Sequence, residues 1–255
     1  MIITRKAWDK YIKVLSKLNT RAADDMRAYV AQLKKNGIEG DEAATMLIDY
    51  AYGVATKYGE GAAAAACEMY DAVALLQGAK VPKAVPAKTA KLWEVRKAVY
   101  GTMGMNDEVL PSAVSRLVKR AGADTTIMNA IRDGAEWAWI PSGDTCAFCI
   151  ALASQGWMPA SQDQLNGGHA EHIHANCDCT FAIRFNGSMD VAGYNPEKYK
   201  KIYYGADPGG SSKDKINAMR RDAYQENKDE INAQKRDAYE KQKEREGSAS
   251  EEIEA

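Results

Sequence analysis

The sequence has no excess of charge of either sign, because 34 Lys and Arg residues stand against 35 Asp and Glu residues. Its net charge of −1 gives no overall field that would draw the protein onto nucleic acid, so any such contact has to be local. It also has no long apolar run. The stretch at 62–76 is interrupted by Glu68 and Asp71 and is too short to cross a bilayer, so we expect no membrane partner.

Other signals are missing as well. Residues 1–15 lack the charged start, continuous apolar centre and small-residue cleavage site of a secretory signal, so we expect a protein made and kept in a cytoplasm. No Gly-rich phosphate loop and no Ser/His/Asp arrangement of recognisable spacing occurs. Cysteines in a cytoplasm stay reduced, and four of the five cysteines and all three histidines lie between 146 and 179. This clustering favours a metal site over scattered disulfides.

Apolar residues recur at helical spacing through most of the first 140 residues. The small side chains at 62–66 predict a close helix–helix contact, and two prolines without periodicity at 78–88 predict a linker. The pattern predicts one or two helices within 4–33, with Thr4 as N-cap, and further helices over 42–76, 89–101 and 111–137.

The character of the sequence changes after Ile140, where glycine and proline make a loop-rich segment. From Cys177 to Phe185 apolar residues alternate, which predicts a strand with Cys177 and Cys179 on one face. A flexible linker follows Tyr204, and a 15-residue repeat at 216–230 and 231–245 predicts a charged helix. We expect a mainly α N-terminal domain at 1–80, a small metal-stapled α+β module at 89–205, and a linker with a helical tail at 206–255.

The cysteine and histidine cluster has the composition of a zinc site. Cys146 and Cys149 are separated by two residues, a gap that lets two thiolates of one tight turn reach the same ion. The second half begins at His172, after a loop of 22 residues, and soft sulfur and imidazole ligands favour zinc over magnesium or calcium. Four of five predicted ligands would complete the shell: Cys146, Cys149, His174, Cys177 and Cys179.

Several alternatives to this set stay open. His172 and His169 are weaker candidates than His174, and the ligand that completes the shell is undetermined between His174, Cys177 and Cys179. Disulfides within the cluster, or buried thiols without metal, are the other interpretations.

A closed shell of four ligands is structural, whereas a catalytic zinc keeps a position for water. The order of the motifs excludes a zinc deaminase, because Cys146 and Cys149 precede the segment His169-Ala-Glu171 instead of following it. We therefore expect no enzyme. The alternative is a metal-dependent enzyme such as a nuclease, with His172 or Glu171 beside the ion.

The segments Ser142-Gly-Asp-Thr-Cys-Ala-Phe-Cys149 and His174-Ala-Asn-Cys-Asp-Cys179 together resemble the C-x-x-C and H-P-N-C-x-C pattern of phage Mu F-like minor head proteins. Ala175 stands where that family often has proline. The similarity is greatest to head morphogenesis proteins of tailed phages of Gram-positive hosts, and it covers roughly residues 90–186. It implies a low-copy component of the virion head that assembles near the portal, contacts portal and scaffold components, and could travel with DNA at ejection.

The remaining features have simpler interpretations. The tail repeat is interpreted as a solvated helix or as a helix that docks on a partner, and acidic neighbours weaken the case for nucleic-acid binding through its basic residues. Cys67 is predicted to be a small buried side chain of the alanine-rich helix. Four tryptophans that flank the cluster are predicted to be core residues: Trp93, Trp137, Trp139 and Trp157.

Overall fold

The computed structural model describes residues 2–3, 5–141, 147–162, 179–185, 187 and 190–204. Residues 1–203 belong to one compact unit. Its helices are α1 (Arg5–Lys35), α2 (Gly40–Leu76), α3 (Leu92–Thr102), α4 (Val109–Asp133), α5 (Ala147–Ala153) and α6 (Pro196–Tyr204). Its strands are β1 (Ile2–Ile3), β2 (Glu136–Ile140), β3 (Met158–Pro159), β4 (Thr180–Arg184) and β5 (Asp190–Val191).

Three long helices, α1, α2 and α4, pack against one another. The helical predictions over 4–33 and 42–76 are confirmed by α1 and α2, and the first pattern forms a single helix. The close contact expected at 62–66 is also confirmed. A Cβ placed on Gly122 of α4 would lie 3.3 Å from the Ala62 carbonyl oxygen, so glycine lets the two backbones approach.

A small antiparallel sheet, of order β3-β2-β4, lies beside the helices. Trp137 pairs with Ile183 and Trp139 with Phe181 in the β2–β4 register. Both tryptophan rings meet Phe181 edge to face, at centroid distances of 4.9 and 4.7 Å, and both tryptophans are buried. These aromatic pairs place the sheet in the same core as Tyr70 and Val73 of α2. In a separate pair, β1 runs parallel to β5.

The segment between α2 and α3, which we call the strap (79–91), contains no helix or strand. Side chains of the neighbouring helices hold its backbone. Asn129 accepts a hydrogen bond from the Val85 N–H at 3.0 Å and donates one to the Val85 carbonyl at 2.8 Å. The Ala87 N–H donates to Thr125 Oγ1, and the Ala84 N–H to Asp71 Oδ1. The predicted linker at 78–88 thus has no regular secondary structure, and it lies within the compact unit of residues 1–203.

Two predictions about secondary structure were wrong in part. The helix expected over 111–137 ends at Asp133, because Gly134 adopts a left-handed conformation (φ 64°) as its C-cap and the following residues form β2. The segment expected to be loop-rich after Ile140 contains the short helix α5, which carries Cys149.

The expected mainly α character and the small α+β part are confirmed. The strand expected over 177–185 is confirmed over Thr180–Arg184 as β4, with Phe181 and Ile183 buried. The predicted N-cap Thr4, the ligands Cys146, His174 and Cys177, and the tail at 206–255 lie outside the described residues.

Candidate functional site

The strand register places the end of β2 beside the start of β4, the two points in the chain next to which the halves of the predicted cluster stand in the sequence. Ile140, the last residue of β2, pairs with Thr180, the first residue of β4. The chain that leaves β2 toward Cys146 and the chain that arrives at β4 from His174 therefore meet at this end. Local sequence patterns cannot show this meeting, because it depends on the pairing of strands 40 residues apart.

Two of the five predicted ligands are described, and both are buried. Cys149 lies in the first turn of α5 and is 1% exposed, while Cys179 immediately precedes β4 and is 4% exposed. Helix α5 packs against β2, and the two cysteines belong to the same hydrophobic cluster as Phe181. Cys179 thus lies at the end of the sheet where Ile140 pairs with Thr180, and Cys149 packs in the same core.

The described residues alone do not form a metal site. Within them, no group of three or more His, Cys, Asp or Glu side chains is placed to hold an ion. Cys146, His174 and Cys177 lie outside the described residues, so the predicted staple of 89–205 has no structural support from the described part. The donor chemistry of the two buried thiols nevertheless fits zinc, which prefers sulfur and nitrogen ligands.

A cavity of about 20 Å³ lies beside Cys179, between α1, α4 and the sheet. Its lining includes Asn19, Trp139 and Thr180. Asn19 Oδ1 and Trp139 Nε1 are buried and make no hydrogen bond to any described residue. The cavity has the size of one water molecule and has polar atoms on its walls. It is therefore a small polar site next to Cys179. Nothing in the sequence pattern singled out Asn19.

Tyr11 anchors α1 to the same region. It is buried, and burial raises its pKa to about 12, although its hydrogen bonds with Thr126 and Thr180 act in the opposite direction. The phenol is therefore neutral at physiological pH and joins α1 to both α4 and β4. Its role is to fix the helices against the first residue of β4.

The opposite end of the β2–β4 pair carries a polar cluster. Arg184 Nε donates to Glu136 at 2.7 Å, and the Arg184 guanidinium lies 4.7 Å from the centre of the Trp157 ring. Trp157 Nε1 donates to Asp190 at 3.1 Å. This cluster links β4 to β2, to β5 and to Trp157, which immediately precedes β3.

The four tryptophans have different environments. Trp137 and Trp139 are confirmed as core residues, and Trp157 is half-buried. The prediction for Trp93 was wrong, since its side chain is 59% exposed on α3. The prediction that Cys67 is buried was also wrong in degree, because this residue is half-buried and lines a surface groove between α2 and the strap. Burial raises the pKa of the Cys67 thiol, so it is a weak nucleophile.

Within the part of the chain that the structure describes, no helix is both long enough and apolar enough to span a bilayer.

Comparison with known proteins gives one match. Neither the curated proteins nor the solved structures include a match to the chain. The family model described as "VG15 protein" matches residues 2–206, a range that contains all of the helices and strands above and both halves of the cysteine and histidine motif. The chain therefore belongs to the VG15 protein family, which is a family of viral proteins.

Proposed function

We propose that this chain is a structural minor capsid protein of a tailed phage, which acts in head morphogenesis at the portal and has no catalytic activity. Membership of a viral family supports a virion-associated role. The observation that supports the finer assignment is the Ile140–Thr180 pairing, because the two segments that resemble the motif of Mu F-like head proteins follow β2 and precede β4 in the sequence. Portal and scaffold components are the proposed partners, and the virion head is the proposed location.

We propose a zinc ion as the structural centre of this end of the sheet. Cys149 and Cys179 would supply two sulfur ligands, and Cys146, Cys177 and His174 would supply the others, of which two are needed. When bound, zinc would cross-link the segment after β2 to the segment before β4. Such an ion contributes about 10–16 kcal/mol to the folding of a small module, so its removal should destabilise the sheet.

Metal analysis of the full chain, purified without added chelator, tests the zinc proposal. We expect about one zinc ion per chain, a metal-to-sulfur distance of about 2.3 Å by X-ray absorption, and a lower Tm after chelation. The double variant Cys146→Ser/Cys177→Ser, which keeps only three of the five candidate ligands, should lose the metal. Cys67→Ser is the matched control and should keep it, because Cys67 lies on α2 outside the motif.

Two results would count against the zinc proposal. A chain without metal, whose Tm is the same with and without chelator and in the double variant, excludes a structural ion. A shell with a bound water in place of a fourth protein ligand supports the metal-dependent enzyme instead, for which nuclease activity is the first assay.

Co-purification from infected cells tests the proposed function. An affinity-tagged full chain should pull down the portal protein, with a constant ratio of this chain to portal rings. The portal protein should stay bound at a salt concentration that removes non-specific ionic contacts. Recovery of the chain without portal, scaffold or capsid subunits, at the time when heads assemble, would contradict the assignment.

A further inference from the structure

Helix α3 exposes one complete face. Val95 and Val99 are its buried residues and attach it to α2 and α4. The side chains on the other side are all exposed and follow helical spacing, and we call them the α3 face: Trp93, Arg96, Lys97 and Tyr100. Trp93 is 59% exposed and Tyr100 57%. Large aromatic side chains in this condition leave an apolar area in contact with water that nothing in the described chain covers.

Exposed apolar residues concentrate around this face. Among the described residues, eleven large hydrophobic side chains are exposed, and five of them lie between 92 and 105. Besides Trp93 and Tyr100, these are Leu92, Met103 and Met105. Trp, Tyr, Met and Arg are the residues enriched at the centres of protein–protein interfaces, so the composition of this surface is that of an interface.

A groove of about 480 Å³ between α3 and α4 adjoins the α3 face. Small residues, Ala98, Gly101 and Ala113, form part of its wall and leave room for an inserted side chain. Trp93 lies at one side, and Leu117 adds a further apolar contact. The groove therefore has the shape that an apolar anchor residue of a partner needs.

The charged side chains of this surface are mostly basic. Arg120, inside the groove, is paired with Glu94 at 2.5 Å and with Asp124 at 3.7 Å. By contrast, Arg96, Lys97 and Arg116 form no ion pair within the described part of the chain. Lys97 and Arg116 line the groove without an acidic partner, because the carboxylate of the groove, Glu94, is paired with Arg120. With Arg96 on the adjoining α3 face, this surface carries an excess of positive charge, although the chain as a whole carries a net charge of −1.

We propose that the α3 face and its groove bind an acidic segment of a partner protein, with one apolar side chain of that segment inserted between α3 and α4. The unpaired cations supply the charge complementarity, and the groove beside Ala98 and Gly101 supplies the anchor site. A nucleic acid would use the cations and stack on the aromatics, but it would leave Leu92, Met103 and Met105 uncovered. The inference does not depend on the head-assembly proposal, because it rests on this surface alone.

Selection of a random 12-residue peptide display library on the purified full chain tests the proposal. The selected peptides should carry two or more carboxylates next to an aromatic or aliphatic residue. Synthetic copies of these peptides should bind at least tenfold more weakly to Trp93→Ser and to Arg116→Glu, and their affinity should fall as salt is raised. Leu75→Ser and Lys80→Glu are matched controls on an exposed apolar residue and an exposed cation elsewhere, and should bind normally.

The results of these binding experiments distinguish an acidic protein segment from a nucleic acid as the partner of this surface. The proposal is overturned if no peptide is enriched, if the enriched peptides lack acidic residues, or if Trp93→Ser and Arg116→Glu bind them as the unchanged chain does. It is also overturned if a dT20 oligonucleotide binds the chain and both variants abolish that binding, since the surface then serves nucleic acid. Circular dichroism and Tm of each variant show whether it is folded, and the two chemically different substitutions guard against a folding defect in one of them.

Discussion

Gly122 has no side chain, and this allows the backbones of the long helices α2 and α4 to approach each other closely. A Cβ there would lie 3.3 Å from the carbonyl oxygen of Ala62, which belongs to a rigid helix backbone. We expect Gly122→Val to lower the free energy of unfolding by about 1–3 kcal/mol, because α2 and α4 would have to separate. Urea denaturation measures this change.

Gly53 provides the matched control, since it is a helical glycine of α2 with nothing within 4 Å of an added Cβ. Gly53→Ala should raise the free energy of unfolding by about 0.5–1 kcal/mol, the ordinary gain for this substitution within a helix. Equal effects of the two substitutions would show that Gly122 does not mark a close approach.

Asp133 makes the free energy of unfolding depend on pH in the acidic range. Burial raises the pKa of this carboxyl, but the hydrogen bonds from Arg132 and Tyr70 lower it more, so the pKa lies below its ordinary value of 3.8. A carboxyl whose pKa is depressed in the folded state contributes stability above its unfolded pKa, and this contribution is lost as the pH falls through the folded value. Asp133→Asn should therefore be less stable than the unchanged chain at pH 7, and the difference should shrink below pH 3.8.

Chemical denaturation at several pH values measures this difference. Asp49→Asn is the control, because the exposed Asp49 makes no hydrogen bond or ion pair within the described residues, and its effect should stay within about 0.5 kcal/mol at every pH. A difference for Asp133→Asn that is the same at pH 3 and pH 7 would contradict the assigned role.

Among the elements, the strap is held in place by hydrogen bonds with side chains and not by backbone hydrogen bonds of the kind that join paired strands. Asn129 is fully buried and satisfies both the N–H and the carbonyl of Val85. Asn129→Ala would leave both groups without their partner, so we expect a loss of about 2 kcal/mol in the free energy of unfolding and faster amide exchange at Val85. Asn36→Ala, at an exposed position after α1, should change neither. Unchanged exchange at Val85 would mean that other contacts hold the strap.

The elements also show what the sequence could predict. Helical periodicity was sufficient for α1 and α2, because each has a long buried face. It extended the fourth helix too far, although Gly134 is a normal helix C-cap, because the five-residue strand β2 is too short to set a period of its own. Trp93 was predicted to be core on its residue type alone, whereas its exposure depends on which side of α3 meets α2 and α4.

The candidate site was predictable only in part. The spacing of Cys146 and Cys149 and the downstream cluster identify the ligands that we propose, but the pairing of Ile140 with Thr180 required the structure. The same holds for the bond between Asn129 and Val85, which joins positions 44 residues apart. Contacts of this kind depend on tertiary packing, and local patterns do not encode them.

At the scale of the whole molecule, one compact unit combines a helical body, a sheet whose core includes two buried cysteines, and a cationic aromatic face on α3. Of these regions, the α3 face is exposed, whereas the two cysteines are buried. With a net charge of −1, neither region depends on a general attraction to nucleic acid.

Quantitative mass spectrometry of purified particles, with heads separated from tails, tests membership of the virion head most directly. Peptides from residues 2–206 should be recovered from the head fraction at low copy number, together with the portal protein, and should resist washing at high salt. Recovery of the chain only from the particle-free lysate, or only from the tail fraction, would contradict the proposal.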